Sequence, residues 1–520
     1  MERHGSETYY VIGEGLLGES VGGRVHTMAA ASAEAELVPP FRFSRMGPSG
    51  VNRQLGDPLR KKLANLMTSG PEAFSQIPSG YTYLGQFADH DLTFDKTNVM
   101  FGQNVPPAQL LEARSPSLDL DSLYGAGPTD PGSAAFYEAD GVHLKSGTTA
   151  AADGIPAKAG FDLLRGAGAT AKAKRTAIIP DPRNDENLAV AQTHLAFIRF
   201  HNRVVDTLPS STPVGQRFAK ARKIVTNHYQ WMLRTDFLPR ICQPSVVNDV
   251  FAHGRKVFEV GASPTDIPTM PIEFSVAAYR LGHSMVREAY SWNKIFDDGS
   301  GTLELLFTFT GLSGDLGGGL RLPSTWIADF RRLYDFSEAG RADLVVPAAR
   351  FNRAMRIDTK LSNPLKRVPG FPAGENNLAF RNLTRARMVK LATGQQMATF
   401  LKSKGVTLTP LTKAQIRDGG TNGVTLDGLT TVQRNSLLKD TPLWFYILRE
   451  AELGQGKLRG VGARIVAETF HRAIEGSSTT SIVRDPTWHP TLGPNNTTFR
   501  MVDLLLFAFQ GKKSLLAPLG

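Results

Sequence analysis

Residues 83–93 read Tyr83-Leu84-Gly85-Gln86-Phe87-Ala88-Asp89-His90-Asp91-Leu92-Thr93, an apolar stretch that holds an amide, an imidazole and two carboxylates within six residues. Apolar residues recur here at near-helical spacing, which predicts an α-helix over 79–95. Because residues at i, i+3 and i+4 share a helix face, Gln86, Asp89 and His90 are expected to lie together while Asp91 points away. The stretch therefore predicts either a proton-accepting site or the polar, capped end of a helix.

The composition is that of an ordinary globular protein. Of the 520 residues, 41% are hydrophobic and 21% are charged. The net charge of +11 favours anionic partners in general, but no Lys/Arg block or aromatic-interleaved basic patch indicates a nucleic-acid partner. The single cysteine, Cys242, excludes a disulfide framework and argues against a zinc–thiolate site.

The N-terminal sequence, the length of the apolar runs and the local composition predict the cellular location, the membrane segments and the domains. The N-terminus lacks the apolar core of a signal peptide, so we expect a cytoplasmic location, with leaderless secretion left open. The longest apolar runs, such as 504–509, are too short to cross a bilayer, and no transmembrane segment is expected. Residues 1–38 are rich in Gly and Ala and predict an N-terminal arm, whereas 39–520 form one main domain.

Apolar residues at helical spacing dominate the main domain, so the predicted fold is mainly α with little β. Long loops with short strands are predicted over 96–180. The Gly-rich stretch 299–322 lacks both the Walker pattern and a strand-to-helix GxGxxG, so it predicts a loop rather than a nucleotide site. In chain order, helices are predicted over 57–69, 79–95, 186–207, 213–237, 240–261, 271–290, 324–334, 376–403, 412–417, 429–437, 441–453, 458–475 and 499–509.

Two further segments carry side chains suited to chemistry. The segment 181–186 (DPRNDE) precedes a predicted helix, and it either caps that helix or projects Arg183 as a fixed cation with Glu186 one turn beyond. The segment 280–283 (RLGH) lies on an apolar predicted helix, where Gly282 leaves room for a flat group. His283 is then either a satisfied core histidine or an axial haem ligand.

Other polar residues admit a metal site or a structural role. Oxygen side chains recur at every second position of one loop, which suits either a bound Ca²⁺ ion or a solvated turn. The loop residues are Ser115, Ser117, Asp119 and Asp121. His194 and His201 are seven residues apart on one helix face, and we interpret both as structural.

Together these segments resemble the animal-type haem peroxidase family, also called the peroxidase–cyclooxygenase superfamily. GQFADHD (85–91) resembles its distal segment, DPRNDEN (181–187) its distal arginine segment, AYRLGH (278–283) its proximal histidine segment and FRNLTRAR (380–387) the segment that supports the proximal histidine. Residues 227–241, 441–452 and 458–470 also look like this family, so the resemblance covers about 40–510. It implies a helical fold with haem buried between central helices, and the lack of disulfides predicts a bacterial-type member.

The resemblance also implies roles for individual residues. Gln86, His90 and Arg183 would lie on the distal side of a haem b. His283 would be the proximal iron ligand, with its other ring nitrogen donating to Asn382. Arg280 and Arg385 would lie near the haem propionates.

Covalent and calcium sites are implied in the same way. Asp89 and Glu186 match positions where the family can form ester bonds to haem methyls. Asn187 stands where one mammalian member has a sulfonium-forming methionine, so that linkage is absent. The family's calcium site matches Asp91, Ser115, Ser117, Asp119 and Asp121, of which Asp121 departs from the serine common in mammalian members.

The implied activity is reduction of hydrogen peroxide through an iron-oxo intermediate, with halide, thiocyanate or small organic molecules as electron donors. His90 would move the peroxide proton, and Arg183 would stabilise the developing negative charge. The rival activity is fatty-acid dioxygenation, as in the cyclooxygenases, which carry a radical-forming tyrosine three residues before the proximal histidine. Arg280 holds that position here, and on a helix Tyr279 would be turned by about 100° from it. A non-catalytic haem or adhesion protein needs neither His90 nor Arg183. The sequence does not specify an oligomeric state.

Overall fold

The structure, a computed structural model, describes residues 8–11, 15–18, 20–21, 24–25, 41–50, 55–369, 371–420 and 422–520. Helix accounts for 46% of the chain and strand for 8%, which confirms the predicted mainly α fold. Most of the predicted arm, 1–38, lies outside the described residues. Among the helices that are described, none combines the length and the apolar character needed to cross a membrane.

The helices fill most of the body. In chain order they are α1 (Asp57–Met67), α2 (Gly80–Leu92), α3 (Asp121–Tyr124), α4 (Ala171–Arg175), α5 (Leu188–Thr207), α6 (Val214–Met232), α7 (Leu238–Ile241), α8 (Pro244–His253), α9 (Ile272–Ser275), α10 (Gly282–Met285), α11 (Leu303–Thr308), α12 (Leu378–Met388), α13 (Gly394–Ser403), α14 (Lys413–Arg417), α15 (Thr431–Lys439), α16 (Leu443–Leu453), α17 (Gly460–Glu475), α18 (Met501–Ala508) and α19 (Lys513–Leu516). A π-helical turn, Leu233–Phe237, joins α6 to α7. Two 3₁₀ turns, Pro182–Asp185 and Ala278–Leu281, precede α5 and α10.

The strands are short and pair in twos. They are β1 (Thr8–Val11), β2 (Gly15–Gly18), β3 (Ser20–Val21), β4 (Arg24–Val25), β5 (Phe43–Ser44), β6 (Phe74–Pro78), β7 (Gly147–Thr148), β8 (Ala159–Asp162), β9 (Met270–Pro271), β10 (Ala289–Tyr290), β11 (Gly301–Thr302) and β12 (Arg353–Met355). The pair β5–β9 is parallel, and β1–β2, β3–β4, β6–β12, β7–β8 and β10–β11 are antiparallel.

Helix α2 lies at the centre of the core, with every one of its residues buried. Phe87 on α2 stacks against Phe197 of α5 with ring centroids 4.4 Å apart, and it meets Tyr229 of α6 edge to face. Such aromatic packing contributes beyond the buried area alone. The polar groups of the opening stretch lie in the last turns of α2, but they face the protein interior rather than solvent.

The predicted helix over 271–290 is wrong. The segment consists instead of α9, the 3₁₀ turn Ala278–Leu281 and α10, and it becomes extended at Val286. Ala277 breaks the helical path with φ −134° and ψ −68°. Nearly all of the segment is buried, polar residues included, so no alternation of buried and exposed positions marks the break.

Four other predictions need correction. The helix predicted over 240–261 ends at His253, where Gly254 takes a positive φ of 80°. The stretch 324–334 forms separate 3₁₀ turns, and 376–403 divides into α12 and α13 around Lys390, whose φ is +47°. The predicted loop 299–322 contains the short helix α11.

Candidate active site

A cavity of about 480 Å³, part of it open to solvent, separates α2 from the segment 278–285. Helix α2 contributes Tyr81, Thr82, Gly85, Gln86 and Asp89, the facing segment contributes residues 279–283 and Met285, and the π turn contributes Phe237. The two segments that the sequence singled out therefore face each other across one cavity.

His90 is fully buried behind this cavity, on the last turn of α2. Its Nδ1 lies 2.9 Å from Oδ1 of Asn184, whereas its Nε2 has no hydrogen-bond partner. Burial, aided by the charge of Arg183, lowers the pKa of His90 to about 3. The ring is therefore a neutral imidazole near neutral pH, with one nitrogen engaged and the other available.

The two carboxylates of the predicted ester sites have different surroundings. Asp89 lines the cavity, and burial raises its pKa to about 6. Glu186 is not part of the cavity wall: its Oε1 accepts a hydrogen bond from Nε2 of Gln86 and lies 3.9 Å from Nε2 of His90. Its Oε2 is buried without a partner, and burial raises its pKa to about 8. Glu186 is therefore largely protonated at neutral pH.

Arg183 does not project into the cavity. Its guanidinium forms two hydrogen bonds to Asp181, of 3.0 and 2.7 Å, and lies 4.0 Å from the ring centroid of Phe94. It also donates a 3.1 Å hydrogen bond to the carbonyl of His90. The structure thus brings Arg183 to His90 as predicted, but through the backbone of His90 rather than through its ring.

On the opposite side of the cavity, His283 is held by α12. Its Nδ1 lies 2.7 Å from Nδ2 of Asn382, and Oδ1 of the same amide accepts a 3.1 Å bond from Arg280. His283 and Asn382 are therefore in contact, but the amide nitrogen rather than the oxygen faces the ring, so the structure does not show the predicted donation from His283 to Asn382. Arg385, one turn along α12, is paired with Asp95 instead of facing the cavity.

Tyr279 lines the same cavity as Arg280. Its hydroxyl donates a 3.1 Å hydrogen bond to the carbonyl of Gly85, and its ring stacks on Phe274 with centroids 4.6 Å apart. The offset of one residue therefore does not take Tyr279 out of the cavity, since Tyr279 and Arg280 both line it.

The predicted calcium ligands lie in one region but face different partners. The Asp91 carboxylate accepts hydrogen bonds from Leu120 N and Ser122 N, and the Asp119 carboxylate accepts from the loop Ser477–Thr479. Asp121 pairs with Arg222, and Ser117 donates to the Gly476 carbonyl. Ser115 is also buried. Across the described part of the chain, no three His, Cys, Asp or Glu side chains converge as a metal-holding group.

Sequence reasoning missed the partners of His90. Asn184 follows Arg183 directly, and its side chain connects His90 to His194, which we had assigned a structural role. His201 is a satisfied core histidine, bonded to Tyr124 and the Val142 carbonyl. Asn184 lies only ten residues before His194, but no sequence pattern indicates the bond between them.

The residues around the cavity fit a haem. A Cβ at Gly282 would meet no atom within 4 Å, so a flat group can approach the backbone beside His283. The walls are mainly apolar and aromatic, and the His283 ring is anchored by the Asn382 amide behind it. A metal-bound histidine usually donates its other ring N–H, so iron binding at Nε2 would require this amide to turn its oxygen toward Nδ1. His283 would hold the iron of such a group, and Arg280 supplies a cation at the cavity wall.

The comparisons with known sequences indicate peroxidases. Residues 76–313 match the family model for the animal haem peroxidase. A peroxidase-like protein of Margaritifera margaritifera is 33% identical over 113 residues, which cover 21% of this chain and 14% of that protein. Thyroid peroxidase of Rattus norvegicus is 26% identical over 190 residues, which cover 35% of this chain and 20% of that protein. The chain thus spans a fifth or less of the length of these relatives.

Solved structures share the fold at low sequence identity. Peroxidase A from Dictyostelium discoideum aligns with a TM-score of 0.60 and 16% identity, over 92% of this chain and 94% of that chain. A fatty acid alpha-dioxygenase from Arabidopsis thaliana aligns with a TM-score of 0.56 and 13% identity, over 90% of this chain and 77% of that chain. With the family model over residues 76–313, these likenesses show that the chain has the helical fold shared by peroxidases and fatty acid dioxygenases, and that residues 76–313 resemble the animal haem peroxidase family.

Proposed function

We propose that this protein is a haem peroxidase that reduces hydrogen peroxide and oxidises halide, thiocyanate or small organic donors. The observation that carries the proposal is the buried, neutral imidazole of His90, whose Nε2 has no protein partner. A general base must present an unprotonated nitrogen to the proton that it takes. Simple haem storage requires no such group opposite the histidine that would hold the iron.

The chain's own residues divide the work of peroxide cleavage. A bound haem iron would supply the redox chemistry. Nε2 of His90 would take the proton from one peroxide oxygen, the one nearer the haem, and return it to the other oxygen, which leaves as water. Gln86 is fixed by Glu186 and by a 2.9 Å bond from Asn187, so its amide can orient the incoming peroxide. Arg183 is held by Asp181, and its buried positive charge favours the developing anion.

The test is spectroscopic and kinetic. Full-length protein loaded with haem should show a Soret band that changes on addition of hydrogen peroxide and returns when iodide, thiocyanate or a phenol is added. The variant His283→Ala should lose haem or its normal Soret band. A loaded protein whose spectrum does not respond to peroxide, or a His283→Ala variant with full haem and full turnover, would overturn the proposal.

Tyr279 supports a second candidate function, oxygenation of fatty acids. Its phenol lines the cavity beside Arg280, and fatty acid alpha-dioxygenases are among the proteins that share the fold. Oxygen uptake on addition of palmitate, lost in Tyr279→Phe but retained in His90→Gln, would favour this function. Peroxide-dependent donor oxidation that is lost in His90→Gln and unaffected in Tyr279→Phe favours the peroxidase.

We propose two accessory features on the same basis. Asp89 would form an ester with a haem methyl, which its place in the cavity wall supports. Hydrogen peroxide would accept two electrons and be reduced to two water molecules as one methyl C–H bond is replaced by the C–O bond to the carboxylate. Ca²⁺ binds near Asp91 and Asp121, since burial and the neighbouring charge of Asp121 raise the pKa of Asp91 to about 8, a cost that a cation would relieve. Binding at this place requires the Asp119 and Asp121 carboxylates to turn from their present partners.

A further inference from the structure

We propose that Asn184, anchored by His194, is a positioning residue that fixes the ring tautomer and orientation of His90. The geometry around Asn184 does not depend on the proposed function. Only the expected effect on the reaction with peroxide rests on that function. Oδ1 of Asn184 lies 2.9 Å from Nδ1 of His90, and Nδ2 of the same amide lies 3.0 Å from Nδ1 of His194. All three side chains are at most 1% exposed, so water does not compete for these bonds.

The two ends of the amide have different chemistry. An amide oxygen only accepts and an amide nitrogen only donates, so the His90 ring must carry its proton on Nδ1, while His194 must accept at its own Nδ1. In a neutral imidazole the other nitrogen is then bare. For His90 that nitrogen is Nε2, the atom that acts as the base in the proposed reaction.

The opposite arrangement is disfavoured. If the amide turned by 180°, both histidines would have to change tautomer, and His90 would carry its proton on Nε2. The carboxylate oxygen Oε1 of Glu186 is 3.9 Å from Nε2, too far for a hydrogen bond. A buried N–H donor would then have no acceptor, which costs free energy, whereas the observed arrangement leaves Nε2 as an acceptor for an incoming proton.

The turn that carries Asn184 is itself fixed from several sides. Arg183 donates to the His90 carbonyl at 3.1 Å, so consecutive residues of the turn contact the backbone and the ring of the same histidine. Asp185, the next residue, accepts from Arg165 at 2.5 Å and from Gly311 N at 3.0 Å. Catalytic groups require a support that holds them to within a fraction of an ångström, and this turn provides one.

The kinetic test compares three variants of the full-length, haem-loaded protein. Asn184→Leu keeps the approximate shape but removes the acceptor, and the rate constant with peroxide should fall by at least about tenfold, as expected when a buried bond that orients a catalytic group is lost. Asn184→Asp keeps an oxygen facing Nδ1 and should recover most of the rate. The matched control is Gln192→Leu, which removes a buried amide of α5 that bonds the Phe161 carbonyl and does not contact His90.

A second readout needs no turnover. Histidine labelled with ¹⁵N reports its tautomer by NMR in full-length protein with diamagnetic zinc protoporphyrin in place of haem, and the His90 signals are identified by their loss in His90→Gln. The parent should show the proton on Nδ1, and Asn184→Leu should shift it toward Nε2.

A parent in which His90 carries its proton on Nε2 overturns the inference without any variant, as does an Asn184→Leu variant with unchanged tautomer and rate. A rate in Asn184→Asp as low as in Asn184→Leu also counts against it. If the tautomer shifts as expected in a protein that does not react with peroxide, the inference holds and the proposed function fails.

Discussion

At the residue scale, His90 is distinguished by having one engaged and one unpartnered ring nitrogen in a fully buried site. We expect His90→Ala to slow the reaction with peroxide by two or more orders of magnitude, within the range that a positioned acid–base group supplies. Haem content should stay near that of the parent, because His283 lies across the cavity. Stopped-flow absorbance at several peroxide concentrations gives the rate constant, and an unchanged rate would contradict the distal role.

The pKa of His90 gives a separate prediction. Burial lowers the pKa to about 3, so the ring stays neutral and able to accept a proton down to about pH 4. Titration of His90 itself should therefore cause no fall in the rate constant for peroxide between pH 8 and pH 5. A histidine with the ordinary pKa of 6.5 would be mostly protonated at pH 5 and would lose about thirtyfold in rate. A fall of that size centred near pH 6.5 would show that the imidazole is hydrated rather than buried in the working enzyme.

The sequence predicted which residue types meet at the site but not how they bond. Spacing on one helix placed Gln86, Asp89 and His90 together, because helical neighbours are fixed by local geometry. The partner of Glu186 depends on packing between segments a hundred residues apart, which no local pattern encodes. The partner of Arg183 is only two residues away, but the sequence did not show that this local pair would hold the guanidinium away from the cavity. Glu186 therefore pairs with Gln86 rather than reaching the cavity, and Arg183 pairs with Asp181.

At the element scale, the sequence predicted the bounds of long, unbroken helices well. The helices α16 and α17 begin and end within about two residues of their predicted bounds, although nearly all of their residues are buried. The prediction for the segment 271–290 failed because the chain leaves the helical path at Ala277, which no residue pattern marks. Tyr279 and Arg280, which follow this break, both line the cavity.

Helix α2 also couples the distal site to the predicted calcium region. Asp91 follows His90 directly, and its carboxylate holds the backbone of Leu120 and Ser122 at α3. We expect chelation with EGTA to release about one Ca²⁺ per chain and to change the haem absorption spectrum, because movement of α3 would disturb the last turn of α2. Asp91→Ala should show the same spectrum without chelator. Metal analysis of an active preparation that finds no calcium would defeat this prediction.

At the scale of the whole molecule, the groups that would hold a haem come from two parts of the chain that face each other across the cavity. Helix α2 carries Asp89 on one side, and the segment 278–285 carries His283 on the other, with Asn382 of α12 behind it. A ligand that binds only the folded state raises its stability in proportion to the logarithm of ligand concentration. A haem held by both sides should therefore stabilise the entire domain rather than one helix.

Covalent attachment of the haem would remove this dependence of stability on haem concentration. The positions of the two carboxylates predict where the ester forms. Asp89 lines the cavity whereas Glu186 is bonded to Gln86, so the ester should form at Asp89. Before peroxide treatment, acidic organic solvent should extract the haem, and the melting temperature should rise with added haem. After treatment, the haem should resist extraction in the parent and in Glu186→Gln but not in Asp89→Asn, and the melting temperature should no longer depend on free haem. Mass spectrometry should find the haem on the peptide that contains Asp89. Full extraction from the parent after many turnovers, or retention lost only in Glu186→Gln, would contradict the assignment.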